Sequence, residues 1–436
     1  MASPGETCDV LVIGGGPGGS TAATMLARKG WRVTMLEKSR HPRFHIGESL
    51  LPMCLPVFER LGVMEKVRKL GLHKAGADFE ADNERGYNVF SFKRALGESP
   101  PYSFQVWRQD FDQMLFEHAR EHGVETRENA QVVGVEHRGA RDALVSVRGV
   151  DGDYQIQARY VVDASGRDAF LSGKLKLKRR NGKHQTAAIF GHFLGAERRP
   201  GEDAGNVSMY RYEHGWMWAI PLPDGVTSIG AVCGPQHMKE RRGNTREFFF
   251  ETLRHNAALS KRLESATLID DQVRVTGNYA YESTRIGGPG WILIGDAFGF
   301  LDPVFSSGVY LAMDSAERAV EVVDAALRDP ACEAAMQHRM EKRLRRGMSH
   351  FKFFVYRFNS PVMRAMFREP RNIWSVEQGV ISMLAGDVYD TPSVLRRLAL
   401  FRTLYRIGVI FNARRWWVDW QDHRRQARAD FHADGT

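Results

Sequence analysis

The sequence predicts an α/β fold in three parts: a parallel-sheet domain, an antiparallel sheet inserted into it, and a helical C-terminal region. Short apolar runs at Cys8 to Ile13, Trp31 to Leu36, Val161 to Val162 and Trp291 to Ile294 lead into glycine or acidic turns, as buried parallel strands do. Alternating patterns lie between them, most clearly from Asn206 to Cys233, where a Pro223-Asp224-Gly225 turn separates two runs. From residue 331 onward the pattern is largely helical, broken at Pro361, Pro370 and Pro392. At 436 residues the chain is long enough for two or three packed units. We expect the parallel-sheet domain in segments 1–80, 105–185 and 270–330, the antiparallel side in 81–104 and 186–269, and the helical region in 331–436.

The first element is the most specific. The Cys8 to Ile13 run leads into Gly14-x-Gly16-x-x-Gly19, an Ala-rich helical stretch reaches Arg28, and a second run ends at Glu37. This is the Rossmann-like order of strand, glycine turn, helix, strand and acid. Gly14 permits the turn, Gly16 lets the backbone approach a pyrophosphate, and Gly19 lets helix and strand pack closely. The helix N-terminus stabilises the phosphate charge. Glu37, 18 residues past Gly19, can accept hydrogen bonds from ribose hydroxyls. A bound dinucleotide follows.

Later elements indicate which dinucleotide. Val106 to Leu115 fits V-x-R-x-x-F-D-x-x-L, which resembles a helix-opening motif of FAD-dependent hydroxylase-like proteins. The resemblance gives Arg108 a contact to the cofactor. Val161-Val162-Asp163-Ala164-Ser165-Gly166 is similar to the middle nucleotide motif of that group. Trp291 to Ala297 ends in Gly295-Asp296-Ala297, whose aspartate the resemblance assigns to the ribityl chain or ribose of FAD. The fold implied is the Rossmann-like, FAD-binding PHBH-like type. No second glycine fingerprint marks an NAD(P)H domain, so reduced flavin is expected from a separate reductase.

Four further strings, within residues 8–310, resemble the flavin-dependent halogenases, in particular those acting on phenols and pyrroles. Pro42 to Pro52 reads P-R-F-H-I-G-E-S-L-L-P, and the resemblance sets Gly47, Glu48 and Ser49 against the flavin. Gly71 to Phe79 carries a K-x-G-A-x-F context that assigns the catalytic lysine to Lys74. In the family, reduced FAD, O₂ and chloride or bromide yield hypohalous acid. A flexible ammonium with three donors can polarise that acid, or become a haloamine, and so direct halogen to one carbon. Trp216-x-Trp218-x-Ile220-Pro221 matches the W-x-W-x-I-P signature, whose Trp216, Trp218 and Pro221 would wall flavin from substrate. Phe300 to Gly308 matches F-x-x-P-x-x-S-x-G, implying a halide on backbone near Ser307 and Gly308 at a helix start. Tryptophan halogenases have a glutamate where this chain has Phe305, which argues for an already electron-rich phenolic or pyrrolic acceptor.

Composition sets the remaining expectations. The hydrophobic fraction of 43% and charged fraction of 26% suit a soluble globular protein. No apolar run of membrane-spanning length and no signal peptide is evident, and four cysteines without C-x-x-C spacing suit a reducing, cytoplasmic setting. His41 and His45 lack further clustered ligands, so no metal is expected. The net charge of +9 favours acidic partners, yet no nucleic-acid motif is present. Basic and aromatic residues from Phe401 to Arg425 suit packing on the domain first, docking of an acyl or peptidyl carrier protein bearing the substrate second, and a peripheral membrane surface last. The competing enzyme reading is an FAD-dependent hydroxylase or polyprenyl-reductase-type oxidoreductase of the same fold, which lacks the Lys74 context.

Overall fold

The computed structural model describes residues 6–81, 83–370 and 372–411. The glycine fingerprint lies where the sequence places it. Strand Glu6–Ile13 runs parallel to Val33–Leu36 on one side and to Gly152–Asp163 on the other. Trp291–Leu293 and Glu125–Arg127 extend the parallel sheet outward. Strands Gln131–Gly139 and Asp142–Gly149 form an antiparallel meander off its Gly152–Asp163 strand. Helix Pro17–Arg28 covers one face. Gly14 takes a left-handed φ of +101°, and a Cβ there would fall 2.5 Å from the Ala164 carbonyl oxygen. A Cβ on Gly19 would fall 1.9 Å from the Gly14 oxygen, so helix and strand approach as closely as only glycine allows.

A second sheet stands against this domain. Strands Val207–Tyr212, Gly215–Pro221 and Val226–Cys233 run antiparallel, Trp218 pairing with Gly230 and Met209 with Trp218. Period-2 alternation divides their side chains. Val207, Met209, Trp216, Trp218 and Ile220 join the main core, whereas Tyr210, Met217 and Ala219 face a separate outer cluster around Phe249. Gly76–Glu80 and Arg274–Ser283 also pair into this sheet, although their sequence positions suggested the parallel-sheet segments. A short apolar strand records burial but not which sheet it joins.

The C-terminal third is helical. Helices Gly308–Arg328 and Glu333–Val355 pack along the nucleotide-binding domain, and Pro361–Arg368 and Val376–Ala385 turn back over the second sheet. Ser360 caps its helix by accepting the Met363 N–H, with Pro361 at the first helical position. An aromatic cluster joins the layers: ring centroids lie 4.8 Å apart for Phe79 and Phe367, and 5.6 Å for Phe305 and Phe358. A last helix spans 392–411; the part of the basic, aromatic segment beyond Phe411 lies outside the described residues. Among the described residues no helix is long and apolar enough to cross a membrane.

Candidate active site

A cavity of about 420 Å³ runs from Glu37 to the tryptophans of the second sheet. Gly14, Gly16 and Gly18 form its floor at the start of helix Pro17–Arg28. Gly16 caps that helix with no side-chain acceptor, so the first-turn N–H groups are left for an anion. Gly19 does not line the cavity; it serves the helix packing described above. One Glu37 carboxylate oxygen accepts the Gly15 N–H at 2.9 Å, and Arg43 reaches the same oxygen at 3.3 Å. Asp296 lines the far wall, and burial lifts its carboxyl to about 6. Open floor, free N–H groups and a carboxylate at the ribose end fit an elongated dinucleotide such as FAD.

The loop Arg43 to Ser49 borders the cavity. Arg108 holds it: its guanidinium donates to Asp112 at 2.8 and 3.0 Å and to the Ile46 carbonyl at 2.8 Å. Arg108 thus lines the cavity with most of its donors committed to fixing the loop. Burial alone would raise the Asp112 carboxyl, but Arg108 and then Arg43 hold it below its usual range. Glu48 and Ser49 are adjacent and diverge. Glu48 meets His192 at 2.6 Å, while its other oxygen is buried without a partner. Ser49 Oγ accepts from Lys74 at 2.9 Å. His192 carried no sequence signal, because its strand begins at Lys178, about 130 residues after that loop ends at Ser49.

Trp216, Trp218 and Ile220 line the flavin-side cavity, as alternation requires. Pro221 does not; it closes the strand with its side chain out of the cavity, so Ile220 takes the place expected for it. Ser306 and Gly308 line the cavity, whereas Ser307, at 5% exposure, is not among the wall residues. Ser306 adopts the left-handed conformation and Ser307 precedes the helix without a side-chain cap bond, so the first N–H groups of a 21-residue helix start at the wall. The space above the Gly308 Cα is open.

Lys74 lies beyond this wall. Its short strand Leu72–Lys74 pairs with Ser103–Gln105 and carries it into the interior, where it is 1% exposed. Nζ donates to Ser49 Oγ and to the Leu50 carbonyl, each at 2.9 Å, and stands 5.3 Å from the Phe92 ring centroid. Burial pulls its ammonium down to about 7, and among the described residues no carboxylate offsets that shift. A second cavity, of about 10 Å³, touches Lys74, Phe79, Phe92, Phe305 and Leu384. Val207, Met209, Val304 and Ser306 line both cavities. The partition between them is therefore aliphatic and hydroxylic, with both indoles on the larger side.

The two histidines weighed as metal ligands are otherwise engaged. His41 Nδ1 meets Glu128 at 2.9 Å and His45 Nδ1 meets the Ile46 carbonyl at 2.7 Å. His214, His237 and Glu240 come within 4.8 Å of one another on the outer side of the second sheet, a grouping that their spacing did not suggest.

Comparison with known proteins gives a consistent picture. Residues 7–353 match the family described as FAD binding domain. The tryptophan 2-halogenase of Chondromyces crocatus is 33% identical over 404 residues, covering 89% of this chain and 75% of that protein. The 1H-pyrrole-2-carbonyl-(peptidyl-carrier protein) chlorinase of Pseudomonas fluorescens is 30% identical over 412 residues, covering 88% of this chain and 90% of that one. The structure of the myxobacterial chondrochloren halogenase CndH is similar with a TM-score of 0.77 at 30% identity, covering 92% of this chain and 97% of the other.

Proposed function

The chain belongs to the FAD-dependent halogenases, and from that premise we propose that it halogenates an electron-rich phenolic or pyrrolic ring through Lys74. The observation that carries this reading is a buried amine, titrating near 7, one shared wall away from the dinucleotide cavity.

The cofactor's place follows from the chain. Gly14, Gly16, Gly18 and the first turn of helix Pro17–Arg28 would hold the pyrophosphate, Glu37 the ribose, and Asp296 the ribityl end. Gly47, Glu48 and Ser49, fixed by Arg108, would border the ring. Reduced FAD with O₂ supplies the oxidising power that turns halide into hypohalous acid. The halide is held at the start of helix Gly308–Arg328, where free N–H groups and the open space over Gly308 favour an anion. At neutral pH about half of the Lys74 side chains are uncharged when the pKa is about 7. The lone pair of Nζ attacks the halogen of hypohalous acid, an N–X bond replaces an N–H bond, and water leaves. The ring π-electrons then take the halogen, the N–X electron pair stays with nitrogen, and the proton lost from the ring carbon restores the amine. Val207, Met209, Val304 and Ser306 form the partition that hypohalous acid would cross between the two stages.

Phe305 supports the choice of ring. It lines the inner cavity beside Phe79 and Phe92, and among the described residues no carboxylate lines that cavity. A weakly activated benzo ring would need such a carboxylate, whereas a phenol or pyrrole would not. The substrate is either free or thioester-linked to a carrier protein, and a separate cytoplasmic reductase supplies FADH₂. Mass spectrometry of phenols, pyrroles and tryptophan incubated with enzyme, FAD, a flavin reductase and chloride or bromide tests the proposal. Halogenated phenol or pyrrole is expected. Product from tryptophan alone, or hydroxylated product without halide, would overturn it.

A further inference from the structure

The halogenation chemistry leaves one cluster of arginines, two of them half-buried, unused. Strand Val207–Tyr212 presents Val207, Met209 and Arg211 on one face. Val207 and Met209 line both cavities, and Arg211 lies about 7 Å further along the same face, two residues on. Helix Pro361–Arg368 packs over this end of the sheet through Phe367 and brings Arg364 and Arg368, one turn apart, to Arg211. The Arg211 guanidinium lies 4.4 Å from the Phe358 ring centroid, and Phe358 in turn packs on Phe305 of the inner cavity. Arg211 Nε and Nη2 are buried without a hydrogen-bond partner, and so is Arg364 Nε.

Among the described residues, no carboxylate forms an ion pair with Arg211 or Arg364. Burial, then Arg364 and Arg368, pull Arg211 down to about 9, and only Glu80 acts in the opposite sense. Glu80 is engaged elsewhere, its two oxygens accepting from Asn256 Nδ2 at 3.1 and 3.3 Å, while the same amide donates to the Arg211 carbonyl at 3.1 Å. A guanidinium stays protonated at neutral pH even so. Its buried N–H groups carry a desolvation penalty that an anion would relieve. The planar fork suits the paired oxygens of a carboxylate or phosphate.

We infer that Arg211 and Arg364 form an anion-recognition site for the substrate, with Phe358 alone between Arg211 and Phe305 in the wall of the cavity where Lys74 reacts. The site takes a carboxylate or phosphate oxygen pair attached to the ring that is halogenated. Its role rests on the halogenase reading above; its existence does not. Two sources share this chemistry: a carboxylate on a free acid, or the phosphate of a carrier protein's pantetheine arm.

Titration of inorganic phosphate into the FAD-loaded full chain, followed by calorimetry, tests the site without turnover. One phosphate should bind, and R364Q and R211Q should each weaken it by about tenfold or more. R364Q alters a half-buried helix position and guards against misfolding of R211Q. No binding to the wild type, or unchanged binding in both variants, overturns the inference. Kinetics then compare a phenol carboxylic acid, its neutral methyl ester, and the same phenol on a pantetheine phosphate arm. R364Q should raise KM for an anionic substrate by about tenfold with kcat little changed, and leave the ester unaffected. The anionic substrate that responds identifies the source; an equal response of the ester overturns the role. If no compound is halogenated by the wild type, the halogenase reading fails while the phosphate titration still decides the site.

Discussion

Lys74 joins a motif position to an unusual environment. Its K-x-G-A-x-F context was legible in the sequence, but its burial was not, because Ser49, Phe92 and Leu384 come to it from distant parts of the chain. Replacing it with methionine keeps the bulk and removes the amine. K74M should retain FAD, measured by the flavin spectrum of the purified protein, and lose halogenated product by about a hundredfold or more. Retained halogenation would remove Lys74 from the chemistry. Because the folded ammonium titrates near 7, below its unfolded value, the unfolded chain binds more protons between about 7 and 10. Wild-type stability should therefore rise relative to K74M as pH climbs through that window, read as the difference in Tm. The rate of halogen transfer should also rise with pH through about 7 in single-turnover experiments, since the neutral amine is the acting form. A rate that falls over this range would assign the work to the ammonium.

Strand Gly215–Pro221 shows what periodicity can and cannot deliver. Alternation places Trp216, Trp218 and Ile220 on the cavity side and Met217 and Ala219 on the other. Its period also turns Pro221 away, although the signature string groups it with the tryptophans. The strand's neighbour makes room for the indole: a Cβ on Gly230 would lie 2.2 Å from Trp218 Cζ2 and 2.6 Å from Phe190 Cβ. G230A should displace Trp218 into the larger cavity, cost about 1–3 kcal/mol in denaturant unfolding and weaken FAD binding. An unchanged FAD affinity would show that Trp218 packs without bordering the cofactor. The Trp216–Trp218 pair, at 5.7 Å between centroids, was visible as a sequence string. Its position relative to Lys74 was not, because it depends on how two sheets meet.

At the scale of the molecule, the order of glycine fingerprint, arginine helix and Gly-Asp-Ala turn was enough to reveal the nucleotide domain. The cover over the inner cavity was not legible. A helical pattern names one apolar face without saying what that face meets, and here Phe358, Phe367 and Leu384 meet strands almost 300 residues earlier. They leave only about 10 Å³ beside Lys74, room for about one water molecule. On the proposed mechanism a substrate ring would have to part the helical cover from the sheet. L384A should widen the cavity, raise kcat/KM for larger phenols and lower stability by about 2–5 kcal/mol in chemical denaturation. Stability lost without any shift in substrate size preference would place access elsewhere.

The divergence of Glu48 and Ser49 has a mechanical consequence. Consecutive side chains on the rim of the larger cavity reach His192 and Lys74, so a single peptide plane ties that rim to the amine. A tilt of that plane as the larger cavity fills would carry the Ser49 hydroxyl with it, and so the amine that donates to it. On the proposed mechanism, occupancy of the first compartment would thereby set the position of the amine in the second.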